Sequence, residues 1–131
     1  MNVVGHGIDL IECARIAAIV ERHRERFERR VLTEAEQATA GRFTDPIPHI
    51  AGRFAAKEAV LKLLGTGWRG RILWTDIEIL NDPMGQPEVT LHGECARIAS
   101  EKNISRILLS ITHTEHYAAA SAIGIESTGR E

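Results

Sequence analysis

The chain has 131 residues, 44% apolar and 26% charged, which are the proportions of one soluble globular domain, and its net charge of −2 gives no general signal for nucleic acid or membrane. Two cysteines, Cys13 and Cys95, are too few for a disulfide framework, sit in no metal-ligand spacing, and read as small core residues. The start MNVVGHGIDLIE lacks the basic start and apolar run of a signal peptide and no run is long enough to span a membrane, so a cytoplasmic setting is expected.

Val3 to Asp9 is short and β-branched and predicts a strand ending at Asp9. From Glu12 to about Arg30, Ile16, Ile19, Val20, His23 and Phe27 recur at helical spacing. The second half of that helix, ERHRERFERR, carries five arginines against three glutamates. A solvated face and a dock for an acidic helical partner both fit it. Thr33 and Glu36 in LTEAE have the spacing of a capping box and predict a helix start. Asp45-Pro46-Ile47-Pro48 breaks the chain. A long helix follows from about His49 to Leu64, and Gly65 stops it.

Thr75 to Leu80 and Glu88 to Leu91 predict a hairpin about the turn Asn81-Asp82-Pro83-Met84-Gly85. Glu94 to Lys102 predicts a short helix. Arg106 to Ile111 and Tyr117 to Ile123 predict two strands around the loop Thr112–His116, and residues 126–131 a disordered tail after a single domain over 1–125. Helices and strands do not alternate regularly and the strand pairs have short links. That predicts an α+β fold with an antiparallel sheet packed on the long helix.

The long helix, GRFAAKEAVLKLLGTG over residues 52–67, is apolar almost all round yet carries Arg53, Lys57, Glu58 and Lys62. At roughly 100° per residue, Arg53 falls beside Lys57, and Glu58 beside Lys62. Glu58 and Lys62 fit an ordinary ion pair one turn apart, but charges in apolar surroundings need partners or a function. Asp9 at a strand end fits either a site residue or a helix cap. Asp9 and Glu58, from different elements, could share a hard cation such as Mg²⁺. The GTG at 65–67 follows a helix instead of opening one, so it is no phosphate-binding fingerprint of the usual kind. His113 and His116 in SITHTEHY admit a zinc reading, but a third protein ligand is missing from the pattern.

Five segments together resemble one family, the holo-[acyl-carrier-protein] synthases, the small group of 4′-phosphopantetheinyl transferases. They are GIDLIE (7–12) with Arg15, VLTEAE (31–36), GRFAAKEAVLKLLGTG (52–67), DIEILNDPMGQP (76–87) and SITHTEHYAAA (110–120). His6 and Gln86 depart from the family's pattern. The resemblance implies transfer of phosphopantetheine from coenzyme A to a serine of an acidic apo acyl carrier protein, with loss of adenosine 3′,5′-bisphosphate. It also implies a homotrimer with sites at subunit interfaces, which suits a chain too small for a deep cleft of its own.

On that resemblance Asp9 and Glu58 are the expected metal ligands, for Mg²⁺ or alternatively Mn²⁺. Asp9, Glu58 and Lys62 form the expected catalytic group, with Glu58 as candidate proton acceptor. Arg53, Lys57, Lys62, His113 and Thr114 are expected at the phosphates of coenzyme A, with Gly65 and Gly67 letting backbone approach it. Arg15, Ile19, Arg22, Arg26 and Phe27 are expected to face the carrier protein. A binding module of the same fold that has lost turnover is the alternative.

Overall fold

In a computed structural model, which describes residues 2–67 and 70–127, the chain opens with strand β1 (Asn2–Glu12) and passes directly into helix α1 (Cys13–Val31). Helices α2 (Glu34–Ala40) and α3 (Ile47–Leu64) follow, then a single 3₁₀ turn at Trp74–Asp76. Strands β2 (Ile77–Asn81) and β3 (Pro87–Leu91), helix α4 (Gly93–Glu101), and strands β4 (Arg106–His113) and β5 (Tyr117–Glu126) complete it.

Local chemistry explains most boundaries. The Thr33 hydroxyl accepts from the Glu36 N–H at 3.2 Å while the Glu36 carboxylate accepts from the Thr33 N–H at 2.8 Å, so the capping box is real. Asp45 accepts from the Ile47 N–H at 3.2 Å, at the start of α3. Gly65, with φ 76°, ends α3 in the left-handed conformation that glycine adopts freely. Asp82 accepts from the N–H groups of Met84 and Gln86, both at 2.9 Å, and closes the β2–β3 turn.

Strands β1, β5 and β4 form one antiparallel sheet in that order, and β2–β3 a separate hairpin. In register, Asp9 lies opposite Ala120, and Ala120 opposite Ile111. Helix α3 lies across the three-stranded sheet and touches α1 and β2 as well, so the core surrounds it. The sheet face beneath it is built of small residues, Gly5 and Gly7 on β1 and Ala118, Ala120 and Ala122 on β5. The approach is close: a Cβ on Gly7 would fall 1.9 Å from the Ala59 carbonyl oxygen. The opposite face of the sheet exposes apolar side chains, with Ile8 61% and Leu10 65% accessible.

The expected α+β architecture and all its helices are present, with corrections at several boundaries. β4 runs on to His113, so Thr112 and His113 belong to the strand and not to the loop, and α3 begins at Ile47, inside the expected break. β1 extends to Asn2–Glu12 and displaces the start of α1 to Cys13. Thr75 and Asp76 belong to the 3₁₀ turn, and β2 begins at Ile77. Glu126, expected in the tail, is the last residue of β5; residues 128–131 lie outside the described residues. In α1, His23 leaves the helical conformation (φ −143°, ψ 44°) and kinks the helix, so its predicted place on the apolar stripe is lost and it is exposed. Among the described residues no helix is long and apolar enough to cross a membrane.

Candidate active site

Two groups of polar side chains flank α3. On the β1 flank, the Lys62 ammonium donates to Asp9 Oδ1 at 3.1 Å and to the Ile8 carbonyl at 2.9 Å. Gly7 makes this contact possible. Gly7 and Asp9 project to the same face of β1, and the missing side chain at Gly7 lets α3 settle against the strand with Asp9 in reach. Glu58 is half-buried one turn before Lys62. By donor type, the carboxylates of Asp9 and Glu58 suit a hard divalent cation.

On the other flank, Arg53 is only 5% accessible and donates to Asn81 Oδ1 at 2.9 Å. It lines a cavity of about 430 Å³ together with Phe43, His49, Asn81 and His113. The His49 ring stacks on Phe43 with centroids 4.6 Å apart, and its Nε2 is buried with no partner in the structure. Burial, then the charges of Arg53 and His113, lower the His49 pKa to about 4, so the ring is neutral at pH 7. Among the described residues that line it, the cavity therefore offers one fixed cation, Arg53, with neutral His49 beside it and the Asp45 carboxylate also on its wall.

These two groups do not meet within one protomer. Nine residues separate Arg53 from Lys62, which turns the helix by about 900° and puts the two side chains on opposite sides of it. Asp9 and His113 belong to strands separated by β5, two strand spacings or roughly 9–10 Å.

Several expected residues lie elsewhere. Lys57 is corrected: its ammonium is fully buried and donates to the Val31 carbonyl (2.6 Å), Glu36 Oε1 (2.7 Å) and the Trp74 carbonyl (3.2 Å). An ammonium has three donors, so none remains for a phosphate. Phe27 is also corrected: it is a core residue, 6.3 Å from Phe54 between ring centroids, not an exposed anchor. Thr114 lies in the β4–β5 turn, where its hydroxyl accepts from the Tyr117 N–H at 3.2 Å, and it does not line the Arg53 cavity. Gly65 and Gly67 follow the end of α3 with positive φ. Arg15, Arg22 and Arg26 are exposed on α1, with Arg26 beyond the kink, and Ile19 is half-buried. Burial and nearby Asp76 and Glu94 push the Cys95 thiol up to about 12, in keeping with a packing role. Sequence reasoning missed His49 and Asn81 as cavity residues. It also read Glu36 only as a cap, although a lysine inside an apolar helix implied a buried acid somewhere.

Residues 5–122 match the model of the 4′-phosphopantetheinyl transferase superfamily. The chain belongs to that superfamily. The holo-[acyl-carrier-protein] synthase of Caldanaerobacter subterraneus subsp. tengcongensis is 47% identical over 119 residues, 91% of this chain and 92% of the relative. Among solved structures, the holo-[acyl-carrier-protein] synthase of Neisseria meningitidis superposes with a TM-score of 0.87 at 31% identity, over 95% of this chain and 100% of that one. A Bacillus anthracis holo-(acyl-carrier-protein) synthase in complex with coenzyme A (3′,5′-ADP) gives 0.80 at 34%, over 95% and 98%. The phosphopantetheinyl transferase found here is thus an enzyme whose chain matches its relatives along almost their whole length.

Proposed function

We propose that the chain transfers the 4′-phosphopantetheine group of coenzyme A to a serine hydroxyl of an apo acyl carrier protein. The serine oxygen bonds to the phosphopantetheine phosphorus. The bridging P–O bond of the pyrophosphate breaks, adenosine 3′,5′-bisphosphate leaves, and the serine proton passes to a base. The observation that carries this reading is the Asp9–Lys62 contact beside Glu58 at the β1–α3 junction, in a fold whose relatives are named for this reaction and are solved with coenzyme A.

The enzyme needs no nucleophile of its own, only positioning, charge neutralisation and a proton acceptor. Asp9 and Glu58 would hold Mg²⁺, which supplies charge neutralisation at the pyrophosphate. Lys62 adds a mobile positive charge for phosphate oxygens. Glu58 is the proposed proton acceptor. Arg53 and His113 take the 3′-phosphate. Because these lie on the flank opposite Lys62, one coenzyme A spans both groups only if they come from two subunits. The exposed apolar sheet face around Ile8 and Leu10 supports the same homotrimer, since monomers seldom leave such surface open. Exposed Arg15, Arg22 and Arg26 favour an acidic carrier protein on α1. The reaction belongs in the cytoplasm on this reading.

The test is intact mass of an apo carrier protein after incubation with the purified chain, coenzyme A and Mg²⁺. A gain of one phosphopantetheine, abolished by chelator and reduced at least about a thousandfold in rate by Glu58→Gln, is expected. Coenzyme A binding without transfer to any carrier would favour the silent binding module instead.

A further inference from the structure

Helix α3 has no single apolar stripe to set its rotation, and the close approach at Gly7 constrains only the side that meets the sheet. Ile50, Ala51, Ala55, Ala59, Leu63 and Val60 are buried on every side of it. A helix with one apolar stripe is turned toward the core by that stripe; a helix buried all round is not. Single polar residues fix register in other apolar helix interfaces for the same reason.

We propose that the buried Lys57–Glu36 pair is a positioning device: it sets the rotation of α3 and so aims Glu58 and Lys62 at Asp9. This rests on the transferase reading above. Lys57 Nζ is held at 2.6, 2.7 and 3.2 Å by three separate segments, the end of α1 (Val31), α2 (Glu36) and the 3₁₀ turn (Trp74). Glu36 is itself pinned, because Oε1 also accepts from the Thr33 N–H at 2.8 Å and Oε2 from the Ile79 N–H at 2.9 Å. Three anchors from elements that pack around α3 fix a point on its surface. Glu58 follows Lys57 directly in the chain, so its direction is set by the same point. A rotation of roughly 20° would move a group 6 Å from the helix axis by about 2 Å, and a misplacement of about 1 Å can lower a rate about a hundredfold. Stability alone is a poor reason for such a pair, because well-packed apolar residues commonly serve as well.

The decisive variant is the double change Lys57→Met with Glu36→Gln, which removes both charges together. It is expected to stay folded, to keep KM for coenzyme A within about threefold, to lower kcat about 30- to 100-fold, and to raise the Mg²⁺ concentration for half activity about tenfold. A kcat within threefold of wild type would overturn the proposal. If the double variant does not fold, Glu36→Asp decides, since it keeps both charges and shortens the reach by one methylene. It should lower kcat about tenfold at unchanged KM, well below its melting temperature; an unchanged kcat overturns the proposal. Ile16→Val serves as control for instability alone, and an equal loss of kcat there would also overturn it. A wild-type chain inactive on every carrier would break the transferase reading instead. Mn²⁺ affinity, read by electron paramagnetic resonance on the full chain, should still fall about tenfold in the double variant, and equal affinity would sink the positioning role.

Discussion

Two lysines five residues apart on α3 have opposite surroundings. The side chains of Lys57 and its partner Glu36 are both 0% accessible, with the charges 2.7 Å apart. Lys62 is 56% accessible and meets Asp9, 18% accessible, at 3.1 Å. The helix supplies both and chooses between them only by rotation, since five residues turn it through about 140° beyond a full circle. What packs outside makes the difference. Lys57 is met by the ends of α1 and α2 and by the 3₁₀ turn, which arrive with two carbonyls and a carboxylate. Lys62 looks out past Gly7 along an exposed strand. A pair sealed in the core holds geometry. A pair open to water can exchange its partner for a phosphate.

The comparison is sharpest in stability. Lys57→Met leaves the Glu36 carboxylate in the core and is expected to destabilise the chain by about 3–5 kcal/mol. Lys62→Met removes an exposed pair and should change stability by about 0–1 kcal/mol. Urea denaturation of both variants at pH 7 checks this. Equal losses would mean that the two environments do not differ as described.

How far could this contrast be read beforehand? The elements were legible wherever the signal was local. The Thr33–Glu36 cap, the break at Asp45-Pro46, the stop at Gly65 and the turn at Asp82–Gly85 each involve residues within a few positions of one another. The Asp9–Lys62 contact was legible only through the family motifs, since the two residues lie far apart in the chain. The positions of Lys57 and Phe27 were not, because each is fixed by distant partners. Lys57 is buried by Val31, Glu36 and Trp74, and Phe27 by Phe54 across the α1–α3 contact. Helical periodicity places a side chain on a face and leaves open what covers that face. The Arg53 cavity was half legible: Arg53 and His113 were named, whereas His49 enters it from the first turn of α3, where the sequence reads only as the end of a proline-rich break.

The flank opposite Lys62 gives a second, smaller effect. If Arg53 takes the 3′-phosphate, Arg53→Met should raise KM for coenzyme A about tenfold or more at nearly constant kcat. For dephospho-coenzyme A, which lacks that phosphate, the same variant should change KM by less than about twofold. The two losses then fail to add, as expected for groups in direct contact. Steady-state kinetics with both substrates decide it, and additive losses would move the 3′-phosphate away from Arg53. A Lys62 variant should show the reverse split, losing kcat with both substrates alike.

The smallest effect concerns His49 and acid. In the unfolded chain this imidazole binds a proton near its ordinary 6.5, whereas in the fold burial and the charges of Arg53 and His113 hold it neutral down to about 4. Between those values the unfolded state carries more protons, so stability at this residue is complete above about pH 6.5 and is lost as pH falls toward 4. His49 is only part-buried as a residue, and screening reduces the effect to about 1–2 kcal/mol. His49→Phe keeps a ring against Phe43 and removes the titration. The free energy of unfolding of wild type should therefore fall more steeply between pH 6.5 and 4.5 than that of the variant, and subtracting one from the other cancels the groups they share. Equal slopes would mean that His49 takes its proton in the folded cavity as readily as in water. The burial that separates Lys57 from Lys62 on the middle of the helix would then not extend to its first turn.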